Sequence, residues 1–350
     1  MIKNKSDSLV FYARIALMLQ AFFLSLLILY LGKILLIPLF FALLIATLLY
    51  PLTLFFERRL KRNFAAILSV LIFLTFIGSI VFFFVKQVFL FLKDLPKAQT
   101  KLMELAQDLQ NWVSLKFNLD AVQQMDYFRK SASRLSSNLI SSLGTTFISV
   151  TEVVVLFIFF LIFTFFILVH RRVFKNFILA FFDQSSKQKV DDVIISTRSM
   201  MNNYVVGLLT EMAILFTFIL IILLVLGVKY ALLIAVIAAV LNIIPYLGIY
   251  IAAAFGMLIT ITNGSSNLAI EVGIIFIIVH FVDANILMPH IVGGRVKINP
   301  FITIVAVFMG RLVWGVPGMF LFIPLTAIIR IISENVDELK PWSILIGEEK

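Results

Sequence analysis

Apolar residues occur along this chain in long, nearly unbroken runs separated by short polar segments. A helix needs about 20 apolar residues to cross roughly 30 Å of hydrocarbon. Eight runs meet this length, and two of them, 230–261 and 301–332, exceed what one crossing needs. The other six runs are 15–31, 34–56, 64–92, 148–169, 204–226 and 268–288. The pattern predicts an all-α, polytopic transmembrane protein of about eight spans, two of them broken.

Two longer polar stretches interrupt these runs. In 93–147, leucines recur at intervals of three and four residues among charged residues, which is typical of an amphipathic helix. We expect an extramembrane helical module here, and a connector helix along the cytoplasmic face at 171–203. The predicted organisation is 1–92 with spans one to three, 93–147 as the module, 148–170 as span four, 171–203 as the connector, 204–332 with spans five to eight, and 333–350 as a cytoplasmic tail.

Composition supports membrane insertion. Hydrophobic residues make up 62% of the 350 residues and charged residues 14%, whereas soluble domains have about 45–50% and about 25%. The net charge of +10 does not indicate nucleic-acid binding, because the basic residues stand at the ends of apolar runs. With the N-terminus inside, 16 Lys and Arg face the cytoplasm against 6 in short outer loops. Both termini are therefore expected in the cytoplasm.

Motifs for enzymatic chemistry are absent from the sequence. There is no cysteine, and neither a phosphate-binding loop nor metal-ligand spacing occurs. We therefore expect no enzymatic activity and no cofactor, and the expected partners are the lipid bilayer and a small polar solute or monovalent cation.

Both overlong runs contain helix-breaking residues near their middle. The first holds Pro245 and Gly248, and the second holds Gly315, Pro317 and Gly318. Proline lacks an amide hydrogen and glycine permits unusual backbone angles, so carbonyl groups freed there must meet protein, water or a solute. Each break is either a packing kink or a functional discontinuity, and each overlong run is either a broken span or a re-entrant hairpin. Two such breaks favour a functional discontinuity, since discontinuous helices mark transporter binding sites.

Ionisable residues inside apolar runs are the candidates for a transport path, because a buried charge needs a partner or a cavity. Glu211, seven residues into the fifth span, is the strongest candidate. His280 and Asp283 share a helix face and form either a proton relay or a structural pair. Arg311 either holds an anionic group or anchors a salt bridge. Two glutamates near predicted span ends are expected at the interface: Glu152 and Glu271.

Ordered motifs in the last third of the chain resemble the AI-2E (autoinducer-2 exporter) family. They are N-Y-V-V-G-L-L at 203–209, L-G-V-K-Y-A-L-L at 226–233, L-N-I-I-P-Y-L-G at 241–248 and W-G-V-P-G-M at 314–319, with further agreement over 285–300. The positions that match the family motifs are Tyr204, Gly207, Asn242, Pro245, Tyr246, Gly248, Pro289, Gly293, Gly315 and Gly318.

This resemblance implies a multi-pass transporter of the bacterial inner membrane and a homo-oligomer, with a pentamer as the expected assembly. The leading hypothesis is export of a small polar solute resembling autoinducer-2. The alternatives are sodium–proton antiport, which some family members perform, and a non-transporting membrane scaffold. The transport-path hypothesis comprises Glu211, Asn242, Pro245, Tyr246, Gly248, His280, Asp283, Arg311, Gly315, Pro317 and Gly318.

Overall fold

The computed structural model describes residues 5–117, 153–243, 248–263, 266–288, 290–291 and 294–348. Regular structure within these ranges is helical, apart from one isolated antiparallel bridge between Ile298 and Gly347. The helices are α1 (Lys5–Leu31), α2 (Lys33–Glu57), α3 (Arg62–Phe117), α4 (Val153–Ala180), α5 (Lys187–Val225), α6 (Ala231–Leu241), α7 (Gly248–Asn263), α8 (Ser266–Val282), α9 (Gly294–Val296), α10 (Pro300–Trp314), α11 (Val316–Asn335) and α12 (Lys340–Ile346).

Six of these helical segments are long and apolar enough, by length and composition, to cross a membrane. They are Lys33–Glu57, Arg62–Asp94, Val153–Ala180, Lys187–Val225, Ser266–Leu287 and Val316–Asn335. The predicted all-α, polytopic membrane protein is thereby confirmed. The chain divides into two compact units. The first comprises Met1–Thr47, Leu156–Arg198 and Ile298–Lys350, and the second comprises Leu48–Val155 and Ser199–Lys297.

In the first unit, the apolar run 301–332 folds back on itself instead of continuing as one broken span. The chain reverses at Gly315, whose φ of 67° is available to glycine at little cost. A Cβ on Gly310 would lie 2.1 Å from the carbonyl oxygen of Gly318, so α10 and α11 touch through their backbones. The other end of α10 is tied to α12, because the amide of Asn299 donates to the carbonyl of Ile346 at 2.9 Å. The reversal at Gly315 and the backbone contact between Gly310 and Gly318 show that α10 and α11 form a hairpin.

In the second unit, the run 230–261 is also a hairpin. A Cβ on Gly248 would lie 1.8 Å from the carbonyl oxygen of Leu241, and one on Gly256 would lie 3.1 Å from Ile234 Cγ2. Both pairs are placed symmetrically about the break between α6 and α7, so the two helices are antiparallel. The 11 residues of α6 rise about 16 Å, which is roughly half the hydrocarbon thickness. The hairpin α6–α7 has the dimensions of a re-entrant element.

The structure also describes part of the predicted extramembrane segments. Helix α3 runs unbroken for 56 residues, so residues 93–117 of the predicted module continue the third span as one helix. Residues 118–147 of that module lie outside the described residues. The predicted connector 171–203 belongs to the end of α4, a turn and the start of α5. Across this turn, Lys175 Nζ and Asp191 Oδ1 form a salt bridge of 2.6 Å.

Candidate functional site

Three polar side chains from three helices meet in the core of the second unit. Glu211 lies on α5, Asn242 directly follows α6, and Asp283 opens the π-helical turn Asp283–Leu287 that continues α8. The side-chain nitrogen of Asn242 donates to Glu211 Oε1 at 3.3 Å and to Asp283 Oδ2 at 3.3 Å. We call these three residues the carboxylate–amide cluster.

Burial makes the ionised form of the two carboxyl groups in this cluster unfavourable. Only 4% of Glu211 and 5% of Asp283 are exposed. Asp283 Oδ1 is buried and has no hydrogen-bond partner among the described residues. The Asn242 amide donates to both carboxyl groups but carries no charge, so it cannot neutralise either of them. Two negative charges in an apolar interior require a proton or a cation.

Local helix structure places each member of the cluster. Tyr204, Gly207, Glu211 and Leu215 are all buried and share one face of α5, at the helical spacing of three and four residues. Asn242 caps the C-terminal end of α6, and its backbone N–H donates to the carbonyl of Ala238 at 3.0 Å. The π-helical turn that begins at Asp283 is an uncommon conformation that is frequent at functional sites.

His280 lies one helical turn before Asp283, as the sequence predicts. Its ring packs edge-on against Tyr250 of α7, with the ring centres 5.0 Å apart. His280 Nδ1 is buried without a hydrogen-bond partner in the described part of the chain. Asp283 instead accepts from Asn242. His280 thus lies beside the cluster in sequence, and its ring packs between α8 and α7.

The remaining transport-path candidates divide between the two units. Gly248 begins α7, and a Cβ there would lie 2.8 Å from the amide nitrogen of Asn242, so this glycine adjoins the cluster. The other described candidates belong to the first unit, at or beside the turn between α10 and α11; they are Arg311, Gly315, Pro317 and Gly318. Four further positions and one predicted interfacial residue lie outside the described residues: Pro245, Tyr246, Pro289, Gly293 and Glu152.

Sequence reasoning did not identify a second polar contact, at the turn between α5 and α6. Asp94 of α3 accepts hydrogen bonds from both Lys229 and Tyr230. The sequence offers only a weak signal for this contact: an acidic residue just beyond one apolar run and a single lysine in a short turn. Glu271, predicted at an interface, is exposed on α8.

The cluster offers oxygen atoms as ligands for an ion. Within the described ranges, no group of three or more His, Asp or Glu side chains could hold a metal ion. Two carboxyl groups and one amide suit a proton or a weakly held monovalent cation, because hard cations prefer oxygen ligands.

Comparison with known proteins relates this chain to transporters. The AI-2E family transporter model matches residues 17–338. The relatives of this chain include three proteins named "Putative transport protein" followed by their own designation. YueF of Bacillus subtilis is 26% identical over 314 residues, which cover 85% of this chain and 84% of YueF. YrrI of Bacillus subtilis is 35% identical over 105 residues, 30% of each chain. YhhT of Escherichia coli K12 is 34% identical over 125 residues, 35% of each chain.

Proposed function

Because the chain belongs to the AI-2E family of membrane transporters, we propose that it exports a small polar solute resembling autoinducer-2 across the bacterial inner membrane. We propose that the carboxylate–amide cluster couples this export to a proton or a monovalent cation. The observation that carries the proposal is the single amide of Asn242 shared by two buried carboxyl groups, at the end of a half-length hairpin helix.

Electrostatics explains how such a cluster couples transport to an ion. Both acceptor oxygens lie 3.3 Å from one nitrogen, so they are at most about 6.6 Å apart. Two unit charges no farther apart than this repel by at least about 2.5 kcal/mol at an effective dielectric constant of about 20. A bound proton or cation removes that repulsion, and its release restores it. The loaded and empty clusters therefore favour different arrangements of α5, α6 and α8, which is the requirement for an ion-driven conformational cycle.

Sodium–proton antiport is the second candidate function. The same two carboxyl groups support it, since a cation and a proton would compete for one set of oxygen ligands. In that case the protein would move ions without an organic solute, and His280 would be a route for the proton beside Asp283. The two functions differ in what crosses the membrane, and they share the cluster.

A flux measurement with matched variants tests the proposal. The full-length protein is reconstituted in liposomes, and the fluxes measured are labelled autoinducer-2 efflux and sodium-driven proton movement. Glu211→Gln and Asp283→Asn should abolish flux, whereas the exposed Glu271→Gln should preserve it. Proton movement without solute flux would establish antiport. If the wild-type protein moves neither, the scaffold interpretation replaces both transport functions.

Two further proposals concern the topology and the assembly of the protein. We propose that both termini face the cytoplasm, as the distribution of Lys and Arg favours, and that the protein assembles as a homo-oligomer of five subunits, as the family resemblance implies. Light scattering of the detergent-solubilised protein measures the subunit number, and a mass that corresponds to a single chain would exclude the oligomer.

A further inference from the structure

At the base of the α6–α7 hairpin, three side chains form a contact between α3 and the α5–α6 turn. Asp94 Oδ2 accepts hydrogen bonds from Lys229 Nζ and from the Tyr230 hydroxyl, the latter at 2.5 Å. The Tyr230 hydroxyl also lies 3.3 Å from the carbonyl oxygen of Leu90, one turn earlier on α3. Only 17% of the Asp94 side chain is exposed, against 53% for Lys229. We call Asp94, Lys229 and Tyr230 the clamp.

The backbone of Tyr230 is strained in this contact. Its φ of 65° and ψ of 23° lie in the left-handed region, which is uncommon for residues with a side chain and unfavourable for bulky ones. Hydrogen bonds of the hydroxyl and packing of the ring hold this conformation. The ring meets Phe91 of α3 edge-on at 5.6 Å, and Phe91 meets Phe255 of α7 at 6.1 Å. Helix α3 thus contacts the start of α6 and also packs against α7.

Helix continuity connects this clamp to the carboxylate–amide cluster. Helix α6 begins directly after Tyr230 and ends directly before Asn242, so the clamp and the cluster amide lie at opposite ends of one short helix. On the other side of the clamp, α3 continues without interruption from Asp94 to Phe117. Helix α3, the clamp and α6 thus form one contiguous set of packed elements that leads to Asn242, the kind of arrangement that can carry coupling between distant sites.

We propose that Asp94 is a positioning residue for transport, which sets the position of Asn242 and links the cluster to the part of α3 beyond the membrane span. This inference rests on the proposed role of the cluster. It assigns to residues 95–117 a control function over the hairpin, exerted through the strained Tyr230.

A labelling experiment tests this link without any substrate. The natural chain contains no cysteine, so Ile243→Cys, directly after Asn242, gives a background-free reporter. Its reaction rate with a cationic methanethiosulfonate reagent is measured in the full-length protein in liposomes. Asp94→Ala should change this rate by about fivefold or more, the usual lower range of coupling between sites. Asp94→Glu should restore it, and Asp337→Ala, which removes the exposed Asp337–Lys340 pair, should leave it unchanged.

Two further measurements separate positioning from loss of folding. The thermal unfolding midpoint of each variant shows whether Asp94→Ala is folded. A Tyr230→Phe variant should change the labelling rate in the same direction, and the double variant should show less than the sum of the two effects, because both remove the same contact. If folded Asp94→Ala and Tyr230→Phe label at the wild-type rate, the link is refuted. This result is independent of flux, so it is distinguishable from failure of the Glu211 and Asp283 variants in the transport assay.

Discussion

The closest backbone approach in the α6–α7 hairpin makes Gly248→Ala the most informative substitution. The new methyl carbon would lie 1.8 Å from the carbonyl oxygen of Leu241 and 2.8 Å from the amide nitrogen of Asn242. Side-chain carbons essentially never approach other atoms within 3.0 Å, so the backbone must move by at least 1.2 Å. Both obstructing atoms belong to the backbone, and no side-chain rotation can relieve the contact.

This displacement acts on stability and on transport. Overpacking of a tight interior typically costs about 1–3 kcal/mol, and a contact between two backbones belongs at the upper end of that range. The displaced segment carries Asn242, whose hydrogen bonds join Glu211 and Asp283. A shift of about 1 Å in a functional group can cost about 100-fold in rate, so we expect flux to fall at least about tenfold.

Gly78→Ala is the matched control. A Cβ at Gly78, within α3, meets no atom within 4 Å. Alanine there should therefore stabilise the helix by about 0.5–1 kcal/mol through its helix propensity. Denaturant titration in detergent gives the free energies of unfolding, and liposome assays give the fluxes. If Gly248→Ala is as stable as Gly78→Ala and transports at the wild-type rate, the close approach of α6 and α7 is refuted.

Three further outcomes follow from the described contacts. Gly318→Ala should destabilise the protein by about 1–3 kcal/mol in denaturant titration, because its Cβ would lie 2.0 Å from the carbonyl oxygen of Gly310. Trp314→Phe should cost about 1–3 kcal/mol in the same assay, because it removes the 2.8 Å hydrogen bond from the indole to the carbonyl of Leu29. Desolvation raises the pKa of Tyr230, so its stabilising hydroxyl contact is present below its ordinary pKa of about 10 and is lost as pH rises through the raised pKa. The stability difference between wild type and Tyr230→Phe should therefore stay constant from pH 6 to 9 and decrease above about pH 10.

The sequence predicted the helices better than the direction of the chain between them. Among the described residues, each of the six helical segments long and apolar enough to cross a membrane overlaps a predicted apolar run, because the length of such a run follows directly from hydrocarbon thickness. It could not distinguish a broken span from a hairpin, since a proline and a glycine in mid-run suit both. The choice depends on contacts distant in sequence, such as Gly256 against Ile234 and Gly310 against Gly318.

The candidate site shows the same division between local and distant information. Glu211 and Asp283 were identified because ionisable groups are costly in apolar runs, and Asn242 because its position matches a family motif. Their convergence was not predicted, since local spacing grouped Asp283 with His280 instead. Asn242 joins two helices that lie 31 and 41 residues away in sequence, and helical periodicity carries no information over such separations.

Helices α6 and α7 form a hairpin, and the carboxylate–amide cluster lies where α6 ends, at the turn of this hairpin. Single cysteines at three exposed positions of the second unit test it most directly: Lys93, Ser266 and Arg59. Lys93 precedes Asp94, which contacts the turn before α6, Ser266 follows α7, and Arg59 lies at the opposite end of the α3 span. A membrane-impermeant maleimide should label Lys93→Cys and Ser266→Cys from the same side of the membrane, and Arg59→Cys from the other side. Labelling of Ser266→Cys from the side of Arg59→Cys would show that the chain crosses the membrane between α6 and α8, which would contradict the hairpin.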